Sequence, residues 1–314
     1  MAKIIYHCYG GSHSSVTTAG IHLGMLPKGR TASPAELLGV PHYDQHQKVT
    51  HGRFRFIGRD MLGNEIFVLG KRTAGPNVTI FIHKVVELFN CGRKICPVDT
   101  TSPINPLMVI GGFLSRGLNL VTIGRPLVVY GTQIAYPFLV QIANNVLKFA
   151  KQEPSYGSCS LNYSERRFVF YICPEDDSVP LLLAGLHLNP GIGDNDLLDW
   201  VAGQTFSGKL GTLQYLGKED GHNLYLLGAG KEPEIMAQIL RETRTLMEIP
   251  RISLCIAKSQ LHSSLFLKAV RKILKYSKSR LFSLLKKKAL RNFIEGSRRE
   301  AYEIRISLLE GNLD

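Results

Sequence analysis

No apolar run in this 314-residue sequence reaches the length of a bilayer span without interruption. The longest candidate, from Pro106 to Tyr130, is broken by Arg116 and Arg125. The opening MAKIIYHCYGG turns polar after a few residues, so it reads as a first strand and not as a signal peptide. None of the six cysteines (Cys8, Cys91, Cys96, Cys159, Cys173, Cys255) stands in a C-x-x-C pair. Without an export signal they are expected to be reduced thiols of a cytoplasmic protein, each by default a small buried hydrophobe. No aromatic-rich RNA-binding motif and no DNA-reading module is present. Hydrophobic residues at 44% and charged residues at 20% argue against long disorder and leave a globular protein with room for two domains.

The net charge of +13 is unevenly placed. Residues 1–150 carry 15 basic and 6 acidic side chains, residues 151–257 carry 9 and 14, and residues 258–314 carry 14 and 5. Two basic blocks therefore flank an acidic one. A uniformly basic chain would point to nucleic acid or membrane; this alternation points to charge satisfied in part within the molecule.

The segment IIYHCYGGSHSSVTTAGIHLG at the start aligns without gaps on VFYICPEDDSVPLLLAGLHLN from 169. Tyr6 falls on Tyr171, Cys8 on Cys173, Ala19-Gly20 on Ala184-Gly185 and His22 on His187, all at an offset of 165 residues. Further on, FIGRDMLGNEIFVLG (56–70) matches YLGKEDGHNLYLLG (215–228), KIC (94–96) matches SLC (253–255), and VVYGTQIAY (128–136) faces FIEGSRREAY (293–302). Four blocks in one order indicate two diverged copies of one domain, expected to pack on each other. The expected boundaries are 1–150, a polar linker 151–167 (KQEPSYGSCSLNYSERR), and 168–314.

Within the first copy the pattern predicts a strand at 3–8, helices near 14–23 and 34–39, and a hairpin of 53–58 and 65–69. A helix at 78–89, a strand near 94–98 and a helix at 107–116 follow. The remainder reads as a strand at 120–123 or 126–130, a polar turn at Gly131-Thr132-Gln133, and a helix at 133–150. Strands alternating with helices give the expected fold class: α/β, two tandem diverged copies of an open, mostly parallel sheet with helices on both faces. Ligands of such sheets gather at the carboxyl ends of strands, where Cys8 and Asp99 stand.

The first strand runs into Cys8-Tyr9-Gly10-Gly11-Ser12-His13-Ser14-Ser15. Two glycines permit a tight turn with free amide N–H groups, and a helix start adds unpaired donors and partial positive charge. Ser14 or Ser15 is a candidate cap. A thiol beginning such a loop has a stabilised thiolate, so Gly10, Gly11, Ser12, His13, Ser14 and Ser15 are the candidate anion pocket and Cys8 the candidate nucleophile. The competing reading is a glycine-rich turn over a buried cysteine. The loop resembles the phosphocysteine loop of the enzyme IIB components of the sugar phosphotransferase system. It is also similar to the phosphate loop of low-molecular-weight tyrosine phosphatases, with Ser14 where that family has an essential arginine. No lysine precedes Ser14-Ser15, which weakens a P-loop reading. The second copy keeps Cys173 but follows it with Pro174-Glu175-Asp176-Asp177, carboxylates that would repel a phosphate.

Asp99 in ICPVDTTSP is a candidate general acid or loop-orienting residue, with a turn cap as the plainer role. Arg116 and Arg125 are candidates for the cation that the loop lacks. Seven of ten histidines lie in the first copy, His42, His46 and His51 in one loop. A metal site is not called, because His7 and Cys8 are adjacent strand residues facing opposite sides. Residues 265–291 (LFLKAVRKILKYSKSRLFSLLKKKALR) read as an amphipathic basic helix or helix pair. It is either a solvated face of the second copy or, within 258–305, a surface for nucleic acid or anionic membrane.

The segments YHCYGGSHSSVTTAGIHLG, GGFLSRGLNLVTIGRPLVVYGTQIAYP and LGNEIFVLG together resemble a family of small uncharacterised Firmicutes proteins, many from spore formers. That family is catalogued as domain of unknown function 3189, and the resemblance spans residues 1–150. It implies a domain boundary and brings no activity or cofactor. The sequence thus leaves three expectations: a protein binding a phosphorylated or other anionic small molecule at the Cys8–Ser15 loop, a non-catalytic scaffold or regulatory pseudo-dimer, or a binder of nucleic acid or membrane through 258–305.

Overall fold

A computed structural model describes residues 1–311 apart from 46–50, 76, 90–94, 153–166, 176, 205, 207 and 262–286. The chain forms two compact units, Met1–Ser160 and Leu161–Asp314. Most of the linker 151–167 and of the basic segment 265–291, together with His46, Cys91, Cys159 and Asp176, lie outside the described residues.

The first unit opens with β1 (Lys3–Cys8), an apolar run buried along almost its whole length, and α1 (Ser14–His22). Helix α2 (Pro34–Gly39) starts on a capping box. Ser33 Oγ accepts from the Glu36 amide, Glu36 Oε2 accepts from the Ser33 amide, and Pro34 presets the first turn. A hairpin of β2 (Phe54–Arg59) and β3 (Glu65–Gly70) turns around Asp60, whose Oδ1 accepts from the amides of Leu62 and Asn64. Then come α3 (Asn77–Leu88), β4 (Ile95–Asp99), and α4 (Pro106–Gly112), which Asn105 caps through the Met108 amide. The sheet order is β2-β3-β1-β4, with β1 parallel to both β3 and β4 and only the edge strand β2 antiparallel.

The segment 120–130 is not a strand. After a π-helical turn at Phe113–Gly117 the chain enters one long helix, α5 (Val121–Gln152), which also contains Gly131-Thr132-Gln133, so no polar turn stands there. Pro126 and Pro137 lie within it. A Cβ on Gly111 would fall 2.5 Å from the Val128 nitrogen, and one on Gly124 would fall 2.6 Å from the Gly111 oxygen. At Gly111 and Gly124 the helices α4 and α5 cross at backbone contact. By length and composition α5 is the one helix among the described residues that could cross a membrane. Its inner face, including Val128, Tyr136, Leu139 and Ala143, packs into a core with Ile4, Tyr6, Val16 and Val68.

The second unit repeats the plan. Its strands are β5 (Arg167–Pro174), β6 (Leu213–Glu219), β7 (His222–Gly230) and β8 (Leu254–Ala257), ordered β6-β7-β5-β8 with the same parallel and antiparallel pairings. Its helices are α6 (Val179–Leu188), α7 (Asp194–Gly203), α8 (Pro233–Leu246) and α9 (Ile294–Leu309). The 165-residue register extends to side-chain geometry: Tyr6 Oη lies 2.6 Å from His22 Nδ1, and Tyr171 Oη lies 2.6 Å from His187 Nδ1. All four side chains are buried.

Candidate functional site

The Cys8 loop closes over the carboxyl end of β1, and it is the backbone that holds it there. Amides of Lys71 and Arg72 donate to the carbonyls of Cys8 and Tyr9. Gly11 has φ +67, and a Cβ on it would stand 2.5 Å from the Gly70 nitrogen, so both conformation and space require glycine.

The sulfur of Cys8 is only 3% exposed and is the acceptor around which the loop is organised. The Gly11 amide donates to it at 3.1 Å and Ser15 Oγ lies 3.2 Å away. Burial by itself pushes the thiol pKa up. Hydrogen bonds from the Ser15 hydroxyl and amide, the Ser14 hydroxyl and the Gly11 amide more than reverse this, and the net pKa is lowered. Ser14 Oγ in turn meets Thr100 Oγ1 at 3.2 Å. Among the described residues no backbone carbonyl accepts from the amides of Gly10, Gly11, Ser12 or His13 outside regular structure.

Two guanidinium groups flank this loop. Arg116, from the π-helical turn, donates through Nη1 to Ser12 Oγ, and its Nη2 lies 2.8 Å from where a Cβ on Gly10 would stand. Arg55, from β2, donates through Nη2 to the Gly11 carbonyl. Burial lowers the pKa of both guanidinium groups, and the nearby Cys8 sulfur opposes this only in part. Arg55 Nε and Nη1 are buried and have no hydrogen-bond partner among the described residues. Leaving such donors unsatisfied costs on the order of 1–3 kcal/mol each, more for charged groups.

A buried carboxylate organises the other side. Asp44 Oδ1 lies 3.1 Å from His13 Nε2 and 3.0 Å from Ser115 Oγ, and Asp44 Oδ2 accepts from Arg125 Nε at 2.8 Å. Although burial raises its pKa, the hydrogen bonds from His13, Arg125 and Ser115 hold the carboxyl well below the usual range. The His13 pKa is lowered, chiefly by burial, so the ring is neutral with Nε2–H donating to Asp44. Its Nδ1 is then the acceptor that faces Arg116 Nη2 at 3.4 Å. A chain Arg125–Asp44–His13–Arg116 therefore leads to the Gly10–Ser12 turn.

Asp99 is placed elsewhere. It pairs in register with His7, whose ring meets Thr79 of α3, on the sheet face opposite Cys8. Its carboxylate accepts from Lys71 Nζ at 2.7 Å and from Thr101 N and Oγ1 at 2.9 and 2.6 Å. The β4 end thus reaches the loop through Thr100, while Asp99 caps the following turn and pairs with a lysine that is only 2% exposed. Of the expected residues the fold brings together Cys8, the loop from Gly10 to Ser15, Arg116 and, through Asp44, Arg125. Arg55, Asp44 and Thr100 were not singled out. Arg55 had one signal available: the matched hairpin blocks align it with Gln214, so the guanidinium and the loop are lost together.

In the second unit Cys173 Sγ points to the Tyr171 carbonyl at 3.5 Å. The positions of Ser14 and Ser15 are held by Val179 and Pro180, so neither thiol-directed hydroxyl has a counterpart. Described parts of the basic C-terminal block are paired within the unit. Lys287 meets Asp199, Arg298 meets Asp194 at 2.7 Å, and Arg305 meets Asp220 at 2.5 Å.

Residues 3–148 match the model of the family described as Protein of unknown function (DUF3189), so the first unit is similar to a domain of that family over almost its whole length. No curated protein and no solved structure matches the chain.

Proposed function

We propose that the first unit binds an anionic small molecule, a phosphate-bearing one first of all, at the Cys8–Ser15 loop, with Arg116 and Arg55 as counter-charges. The observation that carries this is the Arg55 guanidinium, held against the Gly11 carbonyl with two buried nitrogens that have no acceptor among the described residues. An anion in front of the Gly10–Ser12 turn would take up those donors together with loop amides. The Cys8 sulfur already occupies the rear of the loop, so the guest sits ahead of it and not in its place. A nucleophilic role for Cys8 is compatible with that order. Asp99 has no part in this reading, since it lies on the other face of the sheet.

The second unit serves as scaffold or regulatory partner in this account, supported by Val179 and Pro180 where the first unit has its hydroxyls. The internal pairing of Lys287, Arg298 and Arg305 disfavours a nucleic-acid or membrane role for that face. A reducing, cytoplasmic setting accords with the unpaired thiols of Cys8 and Cys96.

The test is a thermal-shift screen of the full chain against inorganic phosphate, nucleotides and phosphorylated metabolites, followed by calorimetric titration. At least one phosphorylated compound raises the melting temperature, and Arg55→Gln and Arg116→Gln each weaken its binding at least tenfold, about 1.4 kcal/mol. If no compound shifts the wild-type protein, or the arginine variants bind as well as it does, the proposal fails.

A further inference from the structure

We infer that the ligand is a phosphate monoester with a flat aromatic or heteroaromatic body, and that this body lies in the groove between α2 and the first turns of α5. The inference rests on the anion-site reading above and adds what the rest of the ligand must be. Two adjoining cavities lie beside Arg116 and Asp44, the residues through which they neighbour the loop. One of about 300 Å³ is lined by Asp44, Ser115, Arg116 and Arg125, among others. The second, of about 670 Å³, shares Leu38, Val121 and Arg125 with it and is also lined by Tyr130. Their volumes fall in the range of roughly 300–1,000 Å³ usual for small-molecule sites, and far exceed the needs of a bare phosphate.

The chemistry changes along this path. At the loop end stand the Arg116 guanidinium and the outer nitrogens of Arg125, whose Nε is spent on Asp44. The larger cavity brings flat and apolar groups to the walls, Pro34, Leu38, Pro126, Val129 and Tyr130, which is 59% exposed. Thr122, Asn119 and Gln133 supply polar atoms to the same cavity. A charged head at one end and an exposed aromatic ring with two prolines at the other suit a planar body joined to an anionic group. An aliphatic or polyhydroxylated body would leave either Tyr130 or the hydroxyls poorly matched.

The experiment titrates inorganic phosphate and phenyl phosphate into the full chain, wild type, Tyr130→Ala and Leu38→Glu. The expected result is that phenyl phosphate binds at least tenfold more tightly than phosphate, and that each variant brings the ratio of the two affinities toward one. Equal affinities in the wild type, or a ratio that survives both substitutions, overturn the groove assignment while the anion site stands. Binding of neither compound removes the anion site, and this inference with it. Phenyl phosphate affinity that is indifferent to Arg116→Gln would also overturn it, because head and body would then not share one site.

Discussion

The imidazole of His13 donates to the buried carboxylate of Asp44 across 3.1 Å, and this single contact decides which way the loop presents its charge. With Nε2–H committed to Asp44, Nδ1 can only accept, and it faces the Arg116 guanidinium. Asp44→Asn therefore loosens His13 within the loop and, through it, Arg116. We expect anion affinity to fall about tenfold and stability to fall by about 1–3 kcal/mol, since three hydrogen bonds lose their charged acceptor. Titration calorimetry and urea unfolding check the two effects. The Asp44 pKa is depressed by folding, so its contribution is complete above the unfolded carboxyl value near pH ~4 and is lost as pH falls below it. The variant should lack that part of the acid sensitivity.

Gly11→Ala places a methyl group against the Gly70 backbone at a φ of +67. The loop must shift, and the Gly11 amide then leaves Cys8. A loss of more than about 1 kcal/mol is expected from the conformation alone. Thermal unfolding of the full chain reads the stability, and an unchanged midpoint with intact ligand binding would show that the turn tolerates a side chain.

Ser15→Ala removes the hydroxyl 3.2 Å from the thiol. The pH profile of Cys8 alkylation by a small reagent, followed by mass spectrometry, should have its midpoint below that of an ordinary thiol in the wild type. The variant should move it upward, because the hydroxyl leads the groups that stabilise the thiolate. A profile unmoved by the substitution would assign the lowered pKa to the backbone alone.

Two buried histidines set the acid side of the stability curve. Burial, with Lys71 nearby, pushes the His7 pKa down to about 3, and burial, with Arg305 nearby, pushes that of His187 to about 4. Their unfolded pKa is near ~6.5. Below that value the unfolded chain binds protons that the native state refuses, so stability is full above pH ~6.5 and declines as pH falls toward the folded values. Each contributes a slope of up to about 1.4 kcal/mol per pH unit. His7→Gln and His187→Gln should each flatten part of the decline in urea midpoints between pH ~6.5 and 4.

The first strand, its glycine turn and the 165-residue register were legible because they are local patterns: an apolar run, a loop composition, a repeated Tyr, Cys and His. The hairpin was legible for the same reason. Segment 120–130 was not, since VTIGRPLVVYG carries β-branched residues, a glycine and a proline. Only the contact of Gly124 with Gly111 of another helix explains why it is helical. Asp99 misled because a strand end fixes a residue's height along the sheet and not the face it serves, which alternation assigns through His7. Arg55 and Asp44 reach the loop from 44 and 31 residues away in sequence, from a hairpin strand and a turn whose local composition says nothing about an anion.

The account depends on loop donors and two arginines meeting a negative guest in front of the Cys8 sulfur. The most direct measurement is the rate of Cys8 alkylation in the full chain with and without phosphate or phenyl phosphate, with Cys173 followed in the same digest. The account predicts saturable protection of Cys8, lost in Arg55→Gln and Arg116→Gln, and no effect on Cys173. Alkylation of Cys8 that proceeds at one rate at every anion concentration would contradict it.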